Sequence, residues 1–338
     1  MTTTTSRQAH ASDGGRKAGG PRRGLRPANP RSSLTPRFLP YWLLLPAMIV
    51  IGGLLLYPLI QMIQMSFQKV GLREIRGYPA ESVGLSNYEK ILNSDLFWTA
   101  LRNTAFFALI TVTLTLVIGT LVGLLLNRLG KKMSTLVVIG SMLAWATPAI
   151  SSAIIFRWLF DDRNGVANWI LNLLPDFLSE ALFGRSDWSG YVWFLEPAPL
   201  YTVLILCVVW QSFPFIAVSV LAGLKSISSA LYEAARVDGA TPWRIFWRIT
   251  FPLLRPVFSV LLVLSIIWDF KVFTQLHTLA GGVATREAFN LSLYAYAEAF
   301  SAPPKMGIGS AIAVVLTLIL LAITFVYVRQ MVRQEELR

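Results

Sequence analysis

Six segments of this chain are each long and apolar enough to cross a membrane as a helix. A spanning helix needs about 20 predominantly apolar residues. The six segments lie at residues 41–66, 101–128, 135–158, 200–223, 257–278 and 308–328. Lipid offers no hydrogen bonds to an open backbone, so helices are the spanning structure that such segments form. The sequence therefore predicts an all-α integral membrane protein, whose fifth segment is unusual because it contains Asp269 and Lys271.

The basic residues are distributed unevenly along the chain. Most of the 30 Lys and Arg residues lie in the first 37 residues, beside the second connection, between 224 and 256, or after the last span. Positive residues concentrate in the cytoplasmic loops of membrane proteins. We therefore expect both termini in the cytoplasm. The net charge of +12 is then a signal of topology and of attraction to anionic lipid, and nucleic acid is not an expected partner.

Four regions are predicted. Residues 1–36 are rich in Thr, Ser, Gly, Pro and Arg and cannot bury a core, which predicts a disordered basic cytoplasmic tail. Residues 37–97 hold the first span and an outside loop, and residues 98–330 hold the remaining transmembrane domain. Residues 331–338 form a cytoplasmic C-terminal tail. The amphipathic stretch 166–182, in a later outside connection, suits either the membrane surface or an external partner.

Cysteine and histidine are too sparse for disulfide or metal chemistry. Cys207 is the single cysteine, so no intrachain disulfide is possible, and its place in an apolar span indicates a small buried side chain. His10 and His277 are far apart in sequence and lack ligand partners. We therefore predict no metal site.

The polar connection between the fourth and fifth spans, residues 224–256, has the features of two short helices joined by a turn. One of three serines, at 226, 228 or 229, is expected to cap the first helix, and Gly239 follows its end. Thr241 suits the N-cap of a second helix and Pro242 its first position. We expect that helix to stop at Pro252.

The side chains of this connection allow two interpretations. Trp243 and Trp247 lie four apart, as do Arg244 and Arg248, so each pair shares a helix face. Tryptophan and arginine together are typical of a hairpin on the membrane surface. That interpretation leaves Glu233, the two alanines after it and the glycine turn without explanation.

The same connection resembles a loop of a known family. Glu233, Ala234 and Ala235 are followed by Gly239, then by Ile249 and Pro252, with Phe251 where Leu is usual. This pattern is similar to that of the permease subunits of binding-protein-dependent ABC importers. Further stretches resemble the maltose and glycerol-phosphate branch and extend the likeness over about residues 40–330. These are residues 84–88, 156–171, 223–256 and 273–282.

The resemblance implies a fold, a set of partners and a mechanism. The fold is the six-helix type I transmembrane domain of ABC importers, in a bacterial cell membrane. The partners are a second homologous permease, two cytoplasmic ATPase subunits and an extracytoplasmic substrate-binding protein. Residues 224–256 then hold a coupling helix that docks on an ATPase subunit. The residues assigned to that contact are Glu233, Ala234, Ala235, Asp238, Gly239, Pro242 and Arg244.

The chain lacks a recognisable nucleotide-binding motif. Residues 127–134, Asn-Arg-Leu-Gly-Lys-Lys-Met-Ser, contain Gly-Lys but neither the upstream glycine nor the directly following hydroxyl residue of a phosphate loop. We therefore expect the chain to be no enzyme and to hold no cofactor. ATP and Mg²⁺ would bind to the partner subunits.

Polar and aromatic residues inside the spans are candidates for a sugar pathway, because polar side chains are costly in the membrane. The candidates are Trp210, Gln211, Ser212, Trp268, Asp269 and Gln275. Two structural interpretations stand beside this one: an ion pair of Asp269 with Lys271 or with a neighbouring helix, and a place for the tryptophans in interfacial belts. Span three adds Trp145, Thr147 and Ser151.

The sequence raises three hypotheses for the function of the whole chain. The first is the permease subunit of an ATP-driven importer for a sugar or oligosaccharide. The second is a secondary transporter driven by an ion gradient, with Asp269 and Lys271 as the coupling pair. The third, an intramembrane enzyme, lacks a catalytic constellation. The resemblance favours the first.

Overall fold

The computed structural model describes residues 39–281 and 285–336, so the tail predicted at 1–36 lies outside the described residues. The described part is mostly helical. Its only strands are a two-residue antiparallel pair, β1 (Gln68–Lys69) and β2 (Glu81–Ser82). The chain divides after Leu55 into two units, and the larger one, from Leu56 onward, contains both candidate sites described below.

The helices follow one another in this order: α1 Leu39–Ile51, α2 Tyr57–Ser66, α3 Leu72–Ile75, α4 Ser86–Leu92, α5 Asp95–Arg128, α6 Lys131–Ala146, α7 Ala149–Leu159, α8 Val166–Leu171, α9 Asp176–Phe183, α10 Pro197–Lys225, α11 Ser229–Val237, α12 Pro242–Ile245, α13 Phe251–Phe270, α14 Thr274–Ala280, α15 Leu291–Phe300 and α16 Met306–Glu336. Two π-helical turns, Gly52–Leu56 and Phe246–Thr250, join α1 to α2 and α12 to α13. A 3₁₀ turn, Arg286–Ala288, precedes α15.

Five helical segments are long and apolar enough to cross a membrane, and the bent pair α6 and α7 makes a sixth if it is one span. The five are Tyr41–Ser66, Asp95–Arg128, Pro197–Lys225, Pro242–Phe270 and Met306–Gln330. Each predicted apolar segment therefore lies wholly or largely in helix. The last helix runs on to Glu336, so the start of the predicted tail 331–338 is helical.

The prediction of an unbroken third span at 135–158 is wrong. The helix breaks at Thr147 and Pro148, and α6 and α7 meet at an angle of 96°. Thr147 has an extended backbone, with φ −66° and ψ 129°. Proline disfavours helical geometry in the residue before it and cannot donate the next helical hydrogen bond, which explains the break at this pair.

Two predicted helix ends, one in the polar connection and one in the fifth span, are also wrong. The helix does not stop at Pro252, because the π turn just before it replaces the regular bonding pattern: the Phe251 N–H bonds Phe246 O, five residues back. A widened turn of this kind accommodates a proline without ending the helix. The span then ends at Phe270 and not at 278, and Lys271 is its C-cap. A cation is favourable at that helix end.

Glycines on one face of α5 bring it into close contact with α10. A Cβ atom on Gly119 would lie 2.5 Å from Cβ of Ile216, and one on Gly123 would lie 2.9 Å from the carbonyl oxygen of Ala217. The two glycines are four residues apart, so they share a face. Small residues at this spacing allow membrane helices to approach closely. The sequence contains this spacing as Gly-x-x-x-Gly at residues 119–123.

Gly119→Val is expected to destabilise the folded chain by about 1–3 kcal/mol, because the added methyl groups overlap Ile216. Gly140→Val is the matched control, since a Cβ atom there meets nothing within 4 Å although Gly140 is also helical. The thermal stability of both variants is measured in detergent, with size-exclusion chromatography as the readout. Equal melting behaviour of the two variants would contradict the packing assigned to α5 and α10.

Hydrogen bonds from the start of α5 hold the segment that precedes α15. The Asn103 side-chain amide donates to the carbonyl oxygens of Glu287, at 2.8 Å, and of Phe289, at 3.0 Å. The Thr104 hydroxyl accepts from the Leu291 backbone N–H at 2.9 Å and is buried. Asn103 therefore has a structural role, because it holds the segment before α15 against the start of α5.

Candidate functional site

The polar connection forms a helix, α11, that ends in a tight glycine turn. Ser228 is its N-cap, one of the three serines predicted for that position, although its side chain makes no capping bond. At the other end Gly239 has φ +73°, a left-handed conformation that glycine adopts without strain. The Ala240 N–H bonds Ala235 O at 2.9 Å and the Gly239 N–H bonds Arg236 O at 3.0 Å. This pair of bonds is the Schellman motif, which fixes the direction of the chain after the helix.

The second helix begins as the sequence predicts. Thr241 is its N-cap, and its hydroxyl accepts a 3.3 Å bond from the Arg244 backbone N–H. Pro242 follows at the first position, where its missing N–H leaves no helical bond unmade. The turn from Asp238 to Thr241 is therefore defined by local bonds at both ends. It holds α11 in a set direction relative to the long helix that begins at Pro242.

Six of the seven residues assigned to coupling lie on the exposed surface of this segment. The exposed ones are Glu233, Ala234, Asp238, Gly239, Pro242 and Arg244. Ala235 is only 9% exposed, so its side chain is covered by this chain, and Ala234 is the small residue on the open face. Trp243 beside them is 72% exposed. Neither Glu233 nor Arg244 forms an ion pair within the described residues.

A cavity of about 220 Å³ lies between α10 and the end of α13. Five of the six predicted pathway residues line it: Gln211, Ser212, Trp268, Asp269 and Gln275. Trp145, Val208, Lys271 and Val272 complete the lining. Trp210 does not line this cavity; its ring packs against Phe156, with centroids 5.8 Å apart.

Gln211 is the centre of the hydrogen bonds around the cavity. Its side-chain amide donates a 2.6 Å bond to the Thr147 carbonyl oxygen, at the break between α6 and α7. Its side-chain oxygen lies 3.2 Å from the Gln275 amide and 3.2 Å from the Ser152 hydroxyl. Gln211 therefore links the broken span, α10 and α14. Gln211 and Thr147 are among the residues predicted from the sequence, whereas Ser152 is not. The Thr147–Pro148 pair is the sequence signal for the break.

Asp269 and Lys271 line the same cavity but do not form an ion pair. Asp269 is 4% exposed at the end of α13, whereas Lys271 is exposed beyond it. A buried carboxylate without a cation beside it is costly in a membrane and is typical of a functional position. The pairing that was one structural interpretation of these residues is therefore not present.

Aromatic rings form one wall of the cavity. Trp145 stacks on Phe215, with centroids 5.7 Å apart and planes 17° apart, and Phe215 meets Trp268 edge-on at 5.3 Å. The two tryptophans remain partly exposed, at 41% and 39%. Aromatic faces beside amide and carboxyl groups suit a ligand that has apolar faces and many hydroxyls.

The described residues contain no group of three or more His, Cys, Asp or Glu side chains that could hold a metal ion.

Comparison with known proteins decides the family. The model of the binding-protein-dependent transport system inner membrane component family matches residues 115–335. The chain belongs to this family.

Curated relatives of the permease align with nearly its whole length. It is 37% identical over 336 residues to the diacetylchitobiose uptake system permease protein DasB of Streptomyces coelicolor, covering 99% of both chains. It is 33% identical to the sulfoquinovosyl glycerol transport system permease protein SmoG of Agrobacterium fabrum, covering 87% of this chain and 90% of the relative. It is 31% identical to the trehalose/maltose transport system permease protein MalF of Thermococcus litoralis, covering 86% and 92%.

The fold of the permease also matches a solved structure. A chain of a bacterial ABC transporter involved in the import of the acidic polysaccharide alginate superimposes with a TM-score of 0.68 at 24% identity, covering 86% of this chain and 96% of that one. The predicted class, an all-α ABC importer transmembrane domain, is thereby confirmed. These findings favour the importer and give no support to the transporter driven by an ion gradient.

The connection between α7 and α10 forms an ordered aromatic lobe on the permease. Trp188 and Trp193 stack at 5.5 Å, and the Trp193 indole N–H donates a 2.7 Å bond to the Asn168 side-chain oxygen. The backbone N–H groups of Asn164 and Arg163 bond the Asp161 carboxylate and lower the pKa of that group below its usual value. The predicted amphipathic stretch is thus two short helices, α8 and α9, anchored to this lobe.

Proposed function

We propose that the chain is one of two permease subunits of an ATP-driven importer for a sugar or short oligosaccharide in a bacterial cell membrane. One observation carries the proposal: in a member of this family, an exposed α11 face is held rigidly by the left-handed turn at Gly239. A surface helix that is fixed in direction can transmit movement, and a flexible loop cannot. Both termini are then cytoplasmic, as the placement of basic residues indicates.

The partners follow from the same segment and from the family. Two cytoplasmic ATPase subunits would bind ATP and Mg²⁺, and one of them would receive α11. Glu233 and Arg244 are exposed charges without ion-pair partners among the described residues, so they suit charged groups on that subunit. An extracytoplasmic binding protein would deliver the sugar, and a second, homologous permease would complete the pathway.

The substrate class rests on the cavity and on the relatives. The three curated relatives are named for diacetylchitobiose, sulfoquinovosyl glycerol and trehalose or maltose, all of them glycosides. Trp145 and Trp268 can contact the apolar faces of a sugar ring, while Gln211, Gln275 and Asp269 can bond its hydroxyls. The cavity, at about 220 Å³, is below the roughly 300–1,000 Å³ of typical ligand sites. Passage of a disaccharide therefore requires the surrounding helices to separate.

Co-purification tests the proposed assembly. The full chain, tagged at its C-terminus and extracted gently from its native membrane, should bring down an ATPase and a second permease. The charge-reversal variant Glu233→Lys should retain less ATPase, whereas Glu180→Lys, an exposed change on α9, should retain it fully. Recovery of the wild-type chain alone, with solute transport that needs no ATP, would refute the proposal.

A further inference from the structure

A second, larger cavity opens at the end of the helices where α11 lies. It has a volume of about 1280 Å³ and is bounded by the last part of α5, by the continuous helix from α12 through α13, and by α11. Arg128, Arg236 and Arg255 line it, one from each of α5, α11 and α13. We call it the arginine groove. It is separate from the 220 Å³ cavity, with which it shares no lining residue.

The charge of the arginine groove is entirely positive. No Asp or Glu lines it among the described residues, and none of its three arginines forms an ion pair there. Arg255 is the most informative of the three arginines. It lies within an apolar spanning helix, 13 residues after the start of that helix at Pro242. An arginine at such a position is costly unless its guanidinium reaches water or an anionic group.

The walls of the groove are apolar over most of their length. Leu121 on α5 faces the groove together with Phe251, Phe258 and Leu262 of the long helix. A soluble anion such as free phosphate would leave these side chains without a contact. Trp243 and Trp247 lie at the α11 end and meet edge-on at 5.7 Å. Tryptophans of this kind mark the level of the lipid headgroups.

We propose that the arginine groove binds one anionic phospholipid of the inner leaflet. Its phosphate contacts the three guanidinium groups, and its acyl chains lie along Leu121, Phe258 and Leu262. Basic pockets between helices on the cytoplasmic side suit such headgroups. The leaflet assignment rests on the orientation given under the proposed function. The bound lipid contacts α11 through Arg236, which lies three residues after Glu233 on the same helix, so it braces the coupling segment from within the membrane.

A protein segment is the competing occupant. An acidic side chain of the second permease could neutralise the arginines, but that carboxylate would have to be held in the hydrocarbon beside a wall of aromatic and aliphatic groups, at high cost. A phospholipid supplies the anion at the headgroup level and the apolar part in the hydrocarbon. The chemistry of the groove therefore favours lipid.

Retention of lipid by the full-length chain tests the site without any transport assay. The chain is reconstituted in phosphatidylcholine with phosphatidylglycerol, re-extracted, and examined by native mass spectrometry. Wild type should retain phosphatidylglycerol selectively. Each arginine removed should lower retention about fivefold, so Arg128→Gln with Arg255→Gln should lower it about 25-fold. Arg248→Gln is the matched control, because Arg248 is exposed on the same long helix but does not line the groove, and it should retain lipid like wild type.

A photo-crosslinking residue at Ser259, inside the groove, provides a test that leaves all three arginines in place. Irradiation in the native membrane should yield an adduct with phospholipid. A protein adduct without a lipid adduct would overturn the proposal in favour of a partner segment. Equal phosphatidylglycerol retention by wild type and by the double variant would also overturn it. Either result leaves the importer assignment intact, because that assignment depends on ATPase co-purification.

Discussion

Gly239→Pro is expected to lower sugar uptake by more than about tenfold while the chain still inserts into the membrane. Proline fixes φ near −65°, whereas this residue has φ +73°. The substitution also removes the N–H that bonds Arg236 O. Together these changes abolish the Schellman turn, and strain of this kind costs about 1–3 kcal/mol. Since α11 would lose its set direction, ATP hydrolysis by the partner subunits should become uncoupled from uptake.

Gly239→Asn is the matched control for that experiment. Asparagine tolerates the left-handed conformation and keeps the backbone N–H, and a Cβ atom at this position meets nothing within 4 Å. Uptake by this variant should stay within about twofold of wild type. The measurement compares solute uptake, ATPase activity and membrane content of the chain. Normal uptake by Gly239→Pro at normal membrane content would show that the turn has no part in coupling.

Gln211→Leu is expected to produce the second large loss. The Thr147 carbonyl oxygen at the break between α6 and α7 would lose its 2.6 Å bond, and the Gln275 amide would lose its acceptor. Leaving these part-buried groups unbonded costs at most about 1–3 kcal/mol, but it removes the link between the broken span, α10 and α14, so uptake should fall roughly tenfold or more. The loss should appear in uptake and, more weakly, in thermal stability, because the hydrophobic contacts of α10 remain.

Thr202→Val serves as the control for Gln211→Leu. Thr202 lies on the same helix, is exposed, and its hydroxyl bonds only the Ala198 carbonyl of its own helix, at 2.9 Å. This variant should transport and melt like wild type. If Gln211→Leu also transported normally, the polar links around the 220 Å³ cavity would have no role in the pathway.

The sequence predicts the spans well because membrane insertion depends on length and hydropathy, both of which can be read locally. It also predicts the turn at Gly239 and the cap at Thr241, since those are formed by neighbouring residues. Helix ends at prolines were less predictable. Pro148 breaks its span, whereas a π turn accommodates Pro252 within a continuous helix, and no local sequence pattern separates these cases.

The same holds for the candidate sites: the sequence predicts features that neighbouring residues determine, and it does not predict features formed by residues far apart in the chain. Polar residues within spans were recognised as candidates, and the structure places five of the six around one cavity. Trp210 was misplaced because one step along a helix turns a side chain by about 100°. The arginine groove could not be foreseen, because Arg128, Arg236 and Arg255 are far apart in sequence and meet only in the folded chain.

Uptake by the purified transporter tests the central claim most directly. The complete complex, with its binding protein, is reconstituted in vesicles and supplied with radiolabelled disaccharides of the kinds named for the curated relatives. Our account predicts that uptake requires ATP hydrolysis and persists when ionophores abolish every ion gradient. Uptake that proceeds without ATP and stops with the ionophores would contradict it, and would make Asp269 and Lys271 the centre of the mechanism.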